Sequence, residues 1–180
     1  MIYTANTWGE TNRMKGIKCF TDYDKFKDPR RNAKIYKVLS HLFIETEHSI
    51  WIDANVELKV PYRTLIGLLG DKDIAVFKHT DRDNINDEAH VCQQWNKDDY
   101  DTIQEQIERY NYKEKGLGAC FILIRRHTEK IKRLNEQWWA EICRGSVRDQ
   151  ISFPYVFRDN VRYIEIDNML DNKYFKRYGH

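Results

Sequence analysis

Apolar residues 35, 38, 39, 42 and 43 recur at i, i+3, i+4, i+7 and i+8, one face of a helix over 31–43. The same period places helices at 85–95 and at 99–110, the second with Tyr100, Ile103, Ile107 and Tyr110 on one side. Thr128 is placed to cap a helix whose stripe is Ile131, Leu134, Trp138 and Ile142. Ser146-x-x-Asp149 has the form of a capping box opening a further helix, and Pro61 precedes a short one at 62–69. Between them lie short apolar runs at 2–4, 17–21, 49–52, 74–77, 119–124 and 161–166, which predict strands. Strands alternating with helices predict an α/β fold around a largely parallel, buried sheet.

The 180 residues carry no repeat, low-complexity stretch or Pro/Gly/Ser linker, so one domain over 1–180 is expected. Hydrophobic residues at 41% and aromatics at 13% exclude a disordered chain. The formal net charge of +2 gives no global sign of a nucleic-acid or membrane partner, but the charges are segregated. Residues 13–37 hold nine Lys or Arg against three Asp, whereas 81–108 hold nine Asp or Glu against two basic residues. The first stretch suits phosphate; the alternative is two ordinary solvated faces. Cys19, Cys92, Cys120 and Cys143 form no C-x-x-C pair and sit among apolar neighbours, which points to free buried thiols in a reducing compartment. No apolar leader precedes residue 2 and no run is long enough to span a bilayer, so a cytoplasmic chain without a membrane partner is expected.

The string Ser49-Ile50-Trp51-Ile52-Asp53-Ala54-Asn55 drives an apolar strand into the sheet and ends it in two oxygen-bearing side chains. In an extended chain residues i and i+2 point the same way, so Asp53 and Asn55 are candidates to share one divalent cation, Mn²⁺ or Mg²⁺, with substrate phosphates. In open α/β sheets ligands bind beyond the carboxyl ends of strands. The competing explanation is a turn that merely ends a strand. The preceding helix carries Arg30, Arg31, Lys34 and Lys37; Lys34 and Lys37 share a face and would neutralise a diphosphate. Asp149 is either a first-turn cap or a general base, with Gln150 beside it able to donate to and accept from sugar hydroxyls. His79, Arg82 and Glu88 form a third cluster, and Gly116-Leu117-Gly118 would admit a close ligand. Trp138 falls on its helix stripe; Trp139 lies off it and is a candidate to line an acceptor site. No G-x-G-x-x-G or Walker sequence is present.

Together, I-Y-T-A (2–5), C-F-T-D (19–22), K-I-Y-K (34–37), S-I-W-I-D-A-N (49–55), the His79-x-x-Arg82 and Glu88 region, W-W-A-E-I (138–142) and S-V-R-D-Q-I-S-F (146–153) resemble a glycosyltransferase-like family. It was formerly catalogued as a domain of unknown function and has plant mucilage- and pectin-related members. The resemblance implies a single GT-A-type, Rossmann-like domain, distantly similar to glycogenin-like transferases, with a mixed and mostly parallel sheet flanked by helices. It implies donor contacts at Tyr3, Thr4, Asp22, Lys37 and Asp53, with Asn55 standing in for the second acid of a D-x-D metal motif; Lys34, on the face of Lys37, is a further donor candidate, and His180, the last residue, is either a metal ligand or a tag remnant. The chain is similar to glycogenin-like transferases at the Asp149-Gln150 pair, where catalysis is expected; read from the residues themselves, Glu88 is a further catalytic candidate and His79, Arg82, Trp139 and Arg148 are candidates for acceptor contacts.

The function expected is divalent-metal-assisted transfer of a sugar from a nucleotide-diphosphate sugar to an acceptor hydroxyl. That acceptor is a saccharide, a small molecule, a protein or, given the basic stretch, a nucleic acid. The alternatives are a metal-dependent nuclease, built on Glu57-Leu58-Lys59 with Asp53 upstream, and a non-catalytic nucleotide- or sugar-binding module.

Overall fold

The computed structural model describes residues 1–7 and 16–179; Arg13, Lys15 and His180 lie outside them. In chain order the elements are β1 (Ile2–Ala5), β2 (Lys18–Phe20), α1 (Pro29–Val38), a 3₁₀ turn (Ser40–Leu42), β3 (His48–Ile52), β4 (Val56–Leu58), α2 (Tyr62–Gly67), β5 (Ile74–Lys78), α3 (Ile85–Gln94), α4 (Tyr100–Tyr110), β6 (Gly118–Arg126), α5 (Glu129–Arg144), α6 (Asp149–Phe157), a second 3₁₀ turn (Arg158–Asn160), β7 (Val161–Ile164) and β8 (Phe175–Arg177).

Six strands form one sheet in the order β2-β1-β3-β6-β5-β7. All its pairings are parallel except those of β6, which runs antiparallel to β3 and to β5. The carboxyl ends of β1, β2, β3, β5 and β7 therefore share one edge with the start of β6. This is the expected α/β domain: a mixed, mostly parallel sheet with flanking helices. Strand alternation sends Tyr3, Trp51, Val76 and Leu123 into a core with Ile35, Val38, Ile131, Trp138 and Phe153 of the helices. Ile50, Ile52, Ala75 and Ile122 face the other way, against Leu65, Leu69 and Phe175. A smaller cluster joins α3 and α4 to Leu117 and Ile151.

Local chemistry explains most boundaries. Asp28 caps α1, accepting from the Arg30 amide, with Pro29 at the first helical position. Asp99 and Thr128 cap α4 and α5 in the same way. Two expectations were not met, and one feature was not foreseen. The helix expected over 31–43 ends at Val38, and Leu42 of its stripe is 62% exposed. The cause is non-local: Arg125, fully buried on β6, donates to the carbonyls of Lys37 and Val38 and to Ser40 Oγ, closing the helix there. The capping box at Ser146 does not form. Ser146 Oγ donates to Asp98 Oδ2 instead, and Asp149 turns inward. The two-stranded antiparallel sheet of β4 and β8 was not expected, because three-residue strands are recognisable only through each other.

Gly118 is explained by packing. A Cβ there would lie 2.7 Å from Val76 Cγ2 and 3.4 Å from the Phe153 ring, so protein, not ligand, occupies the space its missing side chain leaves. Gly116 adopts φ +111°, a conformation that strains any side chain.

Candidate active site

A strip of alternating charge runs along the carboxyl edge of the sheet. β3 delivers Asp53 as its first residue past the strand. The expected alternation does not continue beyond it, because the Val56 amide donates to the Asp53 carbonyl and folds 53–56 into a turn. Asp53 and Asn55 are therefore held by different partners. Asp53 Oδ1 accepts from Trp51 Nε1 at 2.7 Å and from Lys37 Nζ at 3.3 Å, while Oδ2 is engaged by no group among the described residues. The Asn55 amide donates to the Tyr178 carbonyl at 2.7 Å, and its Oδ1 is buried without a partner among the described residues.

Lys34 and Lys37 face one way, as their spacing predicts, and both meet Asp149 Oδ2, at 2.9 and 2.6 Å. Burial alone would push the Asp149 carboxyl up. Lys34, Lys37 and Arg148 outweigh burial and hold it far below the usual carboxylate range. Burial pulls the Lys34 ammonium down against the attraction of Asp149. Lys37, facing both Asp149 and Asp53, is instead held above the ordinary lysine value in spite of burial. The Lys37 and Asp149 side chains are 5% and 6% exposed, whereas that of Asp53 is 35% exposed. Asp53 is thus the member of the trio open to a ligand. Asp149 is an anion locked between two ammonium groups and a poor proton acceptor, so its placement suits anchoring Lys37 rather than general-base work.

The strip continues through Arg148, whose Nη2 lies 3.8 Å from Glu88 Oε1. Glu88, buried on α3, also binds Arg82 Nε at 2.7 Å. Arg82 Nη2 stands 2.7 Å from His79 Nε2, and His79 Nδ1 accepts from the amides of Asp81 and Arg82. Burial, reinforced by Arg82, pushes the His79 imidazole down. Three residues expected for catalysis or acceptor binding, His79, Arg82 and Glu88, therefore form one connected group with Arg148. Gln150 donates to the Gly118 carbonyl at 3.2 Å.

Other expected residues lie elsewhere. Tyr3 is fully buried, its ring edge-on to Trp51 and its hydroxyl donating to the Tyr36 carbonyl, so it supports the site from the core and is closed to a nucleotide base. Thr4 is also fully buried, with its Oγ1 unpartnered. Asp22 accepts from Tyr36 Oη at 2.7 Å, an interaction that holds its carboxyl down. Trp139 rests edge-on against Phe26. Part of the basic stretch is spoken for, since Arg30 pairs with Asp28 and Asp98, Arg31 donates to the Gly145 carbonyl, and Lys34 and Lys37 turn inward, whereas Lys18, Lys25 and Lys27 are exposed. The E-x-K string does not converge with Asp53, since Glu57 accepts from Tyr178 Oη and Lys59 pairs with Asp171. Cys92 and Cys120 are buried, and burial pushes both thiols up, Cys92 to about 11; Cys143 is exposed. His180 lies outside the described residues. Sequence reasoning missed Trp51 and Arg177 at this edge. A polar group on an apolar strand and a cation in a three-residue strand leave no periodic signal.

Residues 18–177 match the model of the TOD1/MUCI70, glycosyltransferase-like domain family. The chain is 33% identical over 155 residues to the probable hexosyltransferase MUCI70 of Arabidopsis thaliana, across 76% of this chain and 26% of that protein. It is 27% identical over 180 residues to the alkaline ceramidase TOD1 of the same plant, across 89% of this chain and 38% of that protein. It thus spans well under half the length of either relative. No solved structure matches it.

Proposed function

This chain belongs to the TOD1/MUCI70 glycosyltransferase-like domain family, and from that premise we propose that it transfers a sugar, a hexose by analogy with MUCI70, from a nucleotide-diphosphate sugar to an acceptor hydroxyl. The observation carrying this proposal is the Asp53 carboxylate, standing where β3 ends, with one oxygen fixed by Trp51 and Lys37 and the other without a partner among the described residues.

The groups that would hold a divalent cation are Asp53 Oδ2 and the unpartnered Asn55 Oδ1. These are hard oxygen donors, fitting Mg²⁺ or Mn²⁺ shared with phosphate oxygens. Among the described residues no three His, Cys, Asp or Glu side chains gather to hold a metal, so the phosphates would complete such a site. The cation would stabilise the charge that develops on the departing nucleoside diphosphate. The chain's own residues aim the carboxylate. Trp51 and Lys37 hold Asp53 Oδ1, and Asp149 holds Lys37, so Oδ2 faces the ligand without reorganisation. The His79, Arg82, Glu88 and Arg148 group offers donors along the same edge for acceptor hydroxyls, with Glu88 fixing both guanidinium groups. A cytoplasmic setting, a GT-A-type arrangement and the class of acceptor are parts of this proposal.

The test is a panel of nucleotide sugars incubated with Mn²⁺ or Mg²⁺ and the protein, with release of the nucleoside diphosphate measured. Release that needs the metal and is lost in Asp53→Ala supports transfer. Nucleotide binding with no turnover of any donor would reduce the chain to a binding module. Cleavage of ceramide or DNA without turnover of any sugar donor would replace the proposal outright.

A further inference from the structure

A diphosphate carries charge that the inner part of this edge is poorly able to meet. Lys34 and Lys37 are engaged by Asp149 and Asp53, and Arg82 and Arg148 share the one carboxylate of Glu88, so each of these cations already has an acidic partner. Arg177 on β8 differs. Its guanidinium lies over the Phe121 ring, 4.8 Å from the centroid. It makes no ion pair or side-chain hydrogen bond among the described residues, and its Nε is buried without a partner.

Three contacts place this cation at the candidate site. The Asp53 amide donates to the carbonyl of Phe121, the residue beneath the guanidinium, at 2.8 Å. Arg177 pairs in register with Val56, and the next residue, Tyr178, is bound to Asn55 twice: its amide donates to the Asn55 carbonyl and its carbonyl accepts from the Asn55 side chain. The positive charge of Arg177 also reaches His79, just past the end of β5, and adds to the burial and the Arg82 charge that push that imidazole down. The small β4–β8 sheet therefore carries an uncompensated guanidinium to the turn that presents Asp53 and Asn55.

We propose that Arg177 is a phosphate-binding residue of this chain, gripping the diphosphate of the donor beside the free oxygens of Asp53 and Asn55. This rests on the transferase proposal above and assigns the diphosphate-binding role to β8, in place of the lysines of α1. A guanidinium offers two parallel N–H donors to a phosphate, and desolvation against Phe121 strengthens them.

Binding of inorganic pyrophosphate, and of UDP, GDP, ADP and CDP, would be measured by calorimetry at fixed salt with Mn²⁺ for the wild type, Arg177→Gln, Arg177→Lys and the exposed control Lys130→Gln. Arg177→Gln should weaken binding of pyrophosphate and of the best nucleotide about tenfold or more, and Lys130→Gln should leave it unchanged. Arg177→Lys keeps the charge but loses the fork, and should fall between them. With an active donor, Arg177→Gln should raise KM more than it lowers kcat. Wild-type affinity in both Arg177 variants would overturn the assignment and leave the transferase proposal standing. A wild type that binds neither pyrophosphate nor any of the four nucleotides would overturn both.

Discussion

The ammonium of Lys37, in the last turn of α1, lies 2.6 Å from the carboxylate of Asp149, in the first turn of α6. Each charge is almost wholly removed from solvent, and each is at a helix end that favours it: a cation at a carboxyl terminus and an anion at an amino terminus. The pair clamps the two helices over the edge of the sheet. Asp53, more accessible, is held from the same ammonium.

Breaking that clamp from one side should cost far more than removing its exposed partner. Lys37→Met removes the shorter of the two ammonium contacts of Asp149, leaving Lys34 and the charge of Arg148, and should destabilise the fold by about 3–5 kcal/mol, the usual result of stripping one partner from a buried ion pair. Asp53→Asn, at a side chain one-third exposed, should cost less than about 1 kcal/mol. Urea denaturation of the two variants checks the contrast, and equal losses would refute it.

Arg125 should matter as much as the clamp, because it is buried without a carboxylate and satisfies the carbonyls that end α1. Arg125→Met would leave the Lys37 and Val38 carbonyls and Ser40 Oγ short of a donor, at a cost on the order of 3 kcal/mol. It should also loosen the residue that aims Asp53. Hydrogen exchange at the end of α1, faster in the variant than elsewhere in the sheet, is the expected signature.

Acid should unfold the protein partly through His127. Burial, then Arg125, His41 and Lys132, push its imidazole down to about 4, and Ser49 Oγ lies 2.7 Å from its Nε2. The unfolded chain takes up a proton near pH 6.5 and the native chain does not until about pH 4, so stability falls as pH drops through that window. His127→Gln should flatten the decline between pH 6.5 and 4 without abolishing it, since burial lowers His41 and His79 as well. Asp149 stays ionised across this window, because its carboxyl is held far below it. Urea midpoints at pH 7, 6, 5 and 4.5 for both proteins test the slope; identical slopes would exclude His127.

Gly118→Ala should destabilise by about 1–3 kcal/mol, because the added methyl would meet Val76 Cγ2 at 2.7 Å. A thermal melt checks it. No loss of stability would mean that the space beside Gly118 is open, as a ligand contact requires.

Period and punctuation in the chain were enough to determine the α/β class, nearly every helix and strand to within a few residues, the shared face of Lys34 and Lys37, and Asp53 as a group at the end of a strand. Those features follow from interactions within a few residues: alternation, helical spacing, Asp28 beside Pro29, Thr128 as a cap. What Asp149 does was not readable locally, since its first-turn position suits a cap equally well, and only the convergence of α1 and α6 made it the anchor of two lysines. The turn at Asp53-Ala54-Asn55, the early end of α1 under Arg125 and the unpaired charge of Arg177 belong to tertiary structure for the same reason. Each depends on a partner in another element, whose burial strengthens a charge or exposes an unmet hydrogen bond, and neither effect leaves a periodic trace in the sequence.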